Sequence, residues 1–242
     1  MSLLKESERI CRNSGNKEDL QVSLSNQAAI LVKLEKYDEA MSLLKESERM
    51  CRDRSDKIRL SRSLGNQAMI LTYWGRYFEA MQLHKEEEMI FMELENKRGL
   101  SISLGDQAVI FTKLGKLGEA MRLYKEKEAI CRELGNPEGL AYSLINQATI
   151  LSENMCKSNE SLPLVEEAYR LATEHGLAAL AQQIKPLVDA LNNPSRISKS
   201  NKEDKKPPEL SPDGKLICPV CTQKSQQGAT FCIWCKARFK FD

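Results

Sequence analysis

A leucine followed by a near-identical tetrad recurs four times at a spacing of 40 residues: Leu24-Ser25-Asn26-Gln27-Ala28, Leu64-Gly65-Asn66-Gln67-Ala68, Leu104-Gly105-Asp106-Gln107-Ala108 and Leu144-Ile145-Asn146-Gln147-Ala148. Periods of roughly 20 to 50 residues belong to solenoids and arrays, in which each unit buries its apolar face only against its neighbours. Such chains bind other chains far more often than they catalyse. The register therefore sets a mode of action without naming a partner.

Each unit carries two amphipathic stripes. Leu60, Leu64, Ala68 and Leu71 fall at helical spacing and keep one face apolar, and Ala80, Leu83, Ile90 and Leu94 do the same further on. Gly75, Gly115 and Gly135 sit between stripes, where a left-handed residue ends a helix, and Pro137 stands just inside the next start. The unit reads as helix, turn, helix, with helices of about 17 residues or roughly 25 Å. The small columns Ala28, Ala68, Ala108, Ala148 and Ala40, Ala80, Ala120 mark where paired helices approach closely.

The order of an apolar residue, a small residue four on, a Gly near the turn, then an aromatic and Glu-Ala (Leu64, Ala68, Gly75, Tyr77, Glu79-Ala80) resembles a tetratricopeptide repeat. The long period and the Asn before Gln-Ala are similar to the repeats of kinesin light chains and adaptor scaffolds. The resemblance implies an all-α, right-handed superhelical solenoid over residues 1–176. Residues 1–15 form the second helix of an incomplete repeat, and the repeats follow at 16–55, 56–95, 96–135 and 136–176. A closing helix at 177–193 carries Leu177, Leu180, Ile184, Leu187, Val188 and Leu191, with a bend at Pro186. The fourth unit is irregular: Ser161 takes the alanine column after one inserted residue, and Pro163 enters near the start of its second helix.

On a helical wheel of the first helix, Asn26, Asn66, Asp106 and Asn146 lie opposite the Leu/Ala stripe. Val22, Arg62, Ile102 and Tyr142 flank them, as do Ala29, Met69, Val109 and Thr149, then Lys33, Tyr73, Lys113 and Glu153. In the resembled family this face lines a concave groove, and an Asn there contacts the backbone of a bound peptide. That implies a protein partner supplying an extended segment, because an amide both donates and accepts and so pairs with main chain without reading sequence. The competing reading has these Asn bonding within the solenoid, to the adjacent glutamines. The paired basic residues that clamp a C-terminal carboxylate in chaperone-binding relatives have no counterpart: Ser25, Gly65, Gly105, Ala29 and Val109 occupy those places.

Cys11, Cys51 and Cys131 share one column with Phe91, which marks a buried apolar slot rather than a disulfide framework. The pairs Glu8/Arg12, Glu48/Arg52 and Glu128/Arg132 stand four apart in the favourable order, so the charge code of the second helices reads as a solvated face. His84 aligns with Leu44 and Tyr124, a packing column. With only two histidines, no glycine-rich phosphate loop and no nucleophile beside a base, the chain reads as a non-enzyme. No apolar run approaches the ~20 residues a bilayer requires, and residues 1–6 are too polar for a signal peptide. The reading is therefore intracellular and cytoplasmic, without a membrane partner.

Residues 1–9 repeat residues 41–49 identically, so Met1 occupies the column of Met41, Met81 and Met121. The expectation is a fragment or isoform of a longer protein, with Leu3, Leu4 and Ile10 left open for association. Similar long repeats follow nucleotide-binding signalling ATPases, which makes a sensor segment of such an enzyme the alternative function.

Beyond a polar linker at 194–215 comes Cys218-Pro219-Val220-Cys221, then ten residues, then Cys232-Ile233-Trp234-Cys235. Two such knuckles supply four thiolates to one tetrahedral Zn²⁺, a closed and therefore structural site. The segment 216–240 resembles small zinc ribbons, matched by Gly228 and Phe231, although Thr222 and Lys236 stand where those ribbons carry Gly. Residues 194–242 hold 10 Lys+Arg against 5 Asp+Glu. Lys215, Lys224, Lys236, Arg238 and Lys240 around Phe231, Trp234 and Phe239 would suit nucleic acid as well as protein, and the protein reading is preferred.

Overall fold

The computed structural model describes residues 2–154 and 158–192 and the pairs 209–210, 216–217 and 224–225. Cys156, Cys218, Cys221, Cys232 and Cys235 lie outside the described residues, as does the 194–215 linker except for Glu209 and Leu210. The chain divides into two compact units, residues 1–135 and 136–242.

The first unit contains α1 (Ser2–Ser14), α2 (Lys17–Lys33), α3 (Tyr37–Asp53), α4 (Lys57–Tyr73), α5 (Tyr77–Glu93), α6 (Lys97–Lys113) and α7 (Leu117–Glu133). Helix pairs α2–α3, α4–α5 and α6–α7 follow the 40-residue register. Why α2, α4 and α6 start where they do is a matter of capping. Asn16, Asp56 and Asn96 each accept a hydrogen bond from the backbone amide three residues on, satisfying a donor that the helix leaves orphaned. The helices end in left-handed turns: Gly75 has φ +75° and Gly115 φ +71°, while the matching turns at Glu35, Ser55 and Glu95 take φ of 58°, 55° and 51° without glycine. Backbone bonds close each turn, as from Arg76 N to Leu71 O at 2.8 Å.

Consecutive helices pack on one another, and α2, α4 and α6 also touch in sequence. Leu24, Ala28, Ala40, Leu44, Leu64, Ala68, Ala80, Leu104, Ala108 and Ala120 are all buried, which places the small columns at the helix contacts. Cys11, Cys51 and Cys131 are buried and free. Burial pushes the Cys51 and Cys131 thiols up, which keeps them protonated and unreactive. The Glu8–Arg12, Glu48–Arg52 and Glu128–Arg132 pairs form on the surface. Arg12 and Arg52 also reach Glu46 and Glu86 on the next second-position helix, at 2.8 and 2.7 Å.

The second unit holds α8 (Pro137–Thr149), a π turn (Ile150–Asn154), α9 (Ser158–Glu174) and α10 (Ala178–Asn192). Asn136 caps α8, with Pro137 in its first turn. The π turn spends one more residue per ring than an α turn, and this absorbs the insertion that shifts the alanine column to Ser161. Ser161 is buried with Val165, Ala168 and Ala172 on α9, and Leu180 and Ile184 on α10 complete that unit's core. Pro186 lies within α10. Three two-residue strands, β1 (Glu209–Leu210), β2 (Leu216–Ile217) and β3 (Lys224–Ser225), pair antiparallel in that order. No described helix is long and apolar enough to cross a membrane.

Candidate functional site

Because the Leu and Ala stripes of α2, α4 and α6 face α3, α5 and α7, the opposite side of each helix is left open. There the chain exposes Asn26 and Lys33 on α2, Arg62, Met69 and Tyr73 on α4, and Asp106 and Lys113 on α6, with Asn66 half-buried among them. Asn146 is half-buried on α8 in the second unit. The four polar positions of the tetrad thus stand apart from the core that the neighbouring Leu and Ala build.

The glutamines beside them point elsewhere. Gln27, Gln67 and Gln107 are buried and donate through Nε2 to Glu8, Glu48 and Glu88 on the preceding helix, at 2.7, 2.7 and 2.6 Å. The amides of Asn26, Asn66 and Asn146 make no hydrogen bond with another described residue. Asn and Gln in this motif therefore divide the labour: the Gln stitches one helix pair to the next, and the Asn amide stays available.

Between α4 and α6, with α5 as its floor, lies a cavity of ≈ 360 Å³. Arg62, Asn66, Met69, Ile102 and Asp106, five of the residues singled out by the helical wheel, meet there. Apolar walls come from Ile58, Phe91 and Ile102. Asn26 lies instead in a second recess with Leu3, Ile10 and Val22 between α1 and α2. Tyr73 packs its ring on Tyr37, centroids 4.3 Å apart, and Lys33 and Lys113 are exposed without an ion pair to any described residue.

Among the lining residues outside the wheel, two from α5 shape the cavity. Glu87 on α5 is buried and holds His84 Nδ1 at 2.9 Å, so the packing histidine also serves as a carboxylate partner. Phe91 fills the slot that cysteine takes in other repeats, and it fits because position 99 is glycine: a Cβ there would lie 2.4 Å from the ring. A similar exchange operates at Gly65, where a Cβ would lie 2.4 Å from Glu87 Oε1. Asp106 is exposed at the rim of the recess, where neighbouring atoms take the place of part of its water. Desolvation lifts its pKa above the ordinary carboxylate value, His84 and Lys127 oppose that rise, and the charge of Glu87 adds to it.

The model of the family described as Anaphase-promoting complex subunit 5 matches residues 5–72 and 64–185, and the chain belongs to that family. No curated protein matches the chain. Among solved structures, BtubC (BKLC) from P. vanneervenii is 17% identical with a TM-score of 0.61, covering 86% of this chain and 91% of that one. A putative kinesin light chain with nearly identical TPR-like repeats from Podosopora anserina is 18% identical with a TM-score of 0.52, covering 72% of this chain and 95% of that one. The signal transduction ATPase with a tetratricopeptide repeat sensor from Pyrococcus horikoshii is 14% identical with a TM-score of 0.64, covering 72% of this chain and 27% of that one. The fold is thus a tetratricopeptide-like helical repeat.

Proposed function

We propose that the chain is a protein-interaction scaffold that takes an extended segment of its partner across the open face of α2, α4 and α6. The observation that carries this reading is the pairing state of the tetrad: the glutamines are consumed by the scaffold while the Asn66 amide stands free at the edge of a cavity. An extended segment offers unpaired main-chain donors and acceptors, which such amides satisfy at any sequence. Membership of the subunit family supports a role inside a multiprotein assembly of the anaphase-promoting type. Replacing Asn26 and Asn66 together by Ala is expected to lower recovery of the partner in a pull-down by about tenfold, the value of one or two lost hydrogen bonds. Unchanged recovery overturns the groove.

The Cys218, Cys221, Cys232 and Cys235 quartet is proposed to hold one structural Zn²⁺ in a second interaction module. The spacing supports this, and β2 and β3 flank the first knuckle in sequence. One equivalent of zinc in the purified protein, lost on Cys218→Ser with Cys221→Ser, is the expected result, since thiolate sites of this size fold only with metal. A sensor segment of a signalling ATPase is the second reading, favoured by the likeness to the Pyrococcus horikoshii protein. Nucleic acid binding through the basic end would show an affinity that climbs as salt falls, and its absence at low salt removes that reading.

A further inference from the structure

Three of the matched positions at which α4–α5 and α2–α3 differ lie together at one helix contact. Where α2–α3 has Ser25, Leu44 and Ser47, α4–α5 has Gly65, His84 and Glu87. In α2–α3 the space is filled by neutral groups: the hydroxyls of Ser25 and Ser47 lie 3.1 Å apart, and Gln21 Nε2 reaches Ser47 at 2.9 Å. In α4–α5 the side chain of the first position is deleted and a carboxylate occupies the room it leaves. Packing alone does not call for this, because burying a carboxylate costs several kcal/mol and a serine pair closes the same gap next door.

The carboxylate is half-satisfied. Glu87 is only 5% exposed, and its Oε2 takes the His84 contact. Its Oε1 has no hydrogen-bond partner among the described residues, and the residue lines the cavity beside Asn66. Asp106 faces the same end from α6. Lys127 on α7 reaches over Gly105 and forms no ion pair with Asp106 or Glu87. At the far end the register of α5 brings Phe91 and Leu94 beside Gly99, Ile58 and Arg98. Arg62 and Arg98 make no ion pair with any described residue, unlike Arg52, Arg59 and Arg76. The cavity thus has an anionic end, an apolar middle and a cationic end.

We propose that this cavity is a subsite for a single basic side chain of the bound segment, its head held by Glu87 and Asp106. The proposal rests on the groove reading and adds the chemistry of its partner. The methylenes of Lys or Arg lie along Met69, Phe91 and Ile102, which suits a side chain that is apolar along its stem and charged at its tip. The head takes the place of solvent at Glu87 Oε1, which makes no hydrogen bond to a described residue and is not sealed from water, in a charge-assisted bond. Arg62 and Arg98 repel a second cation at the other end, so a run of basic residues does not fit while a lone one does.

The subsite is testable apart from the whole groove, with Nα-acetyl-lysine methylamide as the probe and its norleucine analogue as the uncharged control. The backbone amide signals of Gly65 and Asn66 in the full chain are expected to shift saturably with the lysine derivative and to stay in place with norleucine. Glu87→Gln, which keeps a hydrogen-bonding partner for His84, should weaken the effect by about tenfold or more, the scale of a lost charge-assisted contact. Equal response to both probes, no saturable shift, or an unchanged response in Glu87→Gln overturns the subsite. Should Glu87→Gln lose helical circular dichroism, Asp106→Asn gives the same test with the buried pair intact. Partner recovery that falls with Asn66→Ala but not with Glu87→Gln would retain the groove and reject the subsite.

Discussion

Gly99 shows how a single position is decided by a neighbour on another helix. Within a helix an Ala replacing Gly ordinarily gains about 0.5–1 kcal/mol, yet a methyl at residue 99 would meet the Phe91 ring. Gly99→Ala is expected to destabilise by about 1–3 kcal/mol in a denaturant melt, the usual range for overpacking. Combining it with Phe91→Cys, the residue of the matching column, should recover part of that loss as a non-additive double-mutant term. Asp106 makes a prediction of opposite sign. Because its folded pKa lies above the unfolded value, it contributes stability below the unfolded pKa, and that contribution is lost as pH rises through the folded one. Asp106→Asn should therefore raise the melting temperature at neutral pH and make little difference in acid. The sequence marks Asp106 as an exposed groove position, but its raised pKa comes first from desolvation, with Glu87 adding to it and His84 and Lys127 opposing it, and these groups meet only across α5, α6 and α7.

At the scale of the element, caps and turns set the helix boundaries. Asn16, Asp56, Asn96 and Asn136 recur at 40 residues and cap every first-position helix. The apolar stripes and glycine turns do not show that column, although its 40-residue period is the signal that could have found it. Asn96→Ala should cost about 1 kcal/mol. The left-handed turns at Glu35, Ser55 and Glu95 carry side chains where Gly75 and Gly115 carry none. Glu95→Gly is expected to stabilise the protein by up to about 1 kcal/mol, relieving a conformation that costs an L-residue about 1–2 kcal/mol. Circular dichroism melts of the two variants check both signs. The π turn after α8 was legible only as a one-residue slip between Ala148 and Ser161, since the sequence counts residues without saying which turn absorbs the extra one.

At the scale of the whole molecule, an array distributes its stability over neighbour contacts. Leu24, Leu64 and Leu104 are equivalent and fully or almost fully buried. Leu64→Ala is expected to cost about 2–5 kcal/mol, and the same change at Leu24 should add to it nearly independently, as distant sites in a repeat protein do. Urea titrations of the single and double variants measure that sum.

The period by itself determined that this chain is a stack of helix pairs, because a strict 40-residue recurrence of Leu, Ala and turn residues has one efficient way to bury its apolar stripes. It also separated core columns from an outward Asn column, since helical spacing fixes which positions share a face. Only the tertiary structure decided which of those outward residues meet. Arg62, Asn66, Met69 and Asp106 converge on one cavity because α4 and α6 lie side by side over α5. Glu87 belongs there only because Gly65, 22 residues earlier, leaves it room. A single column of an alignment shows neither fact, because each is a relation between side chains on different helices.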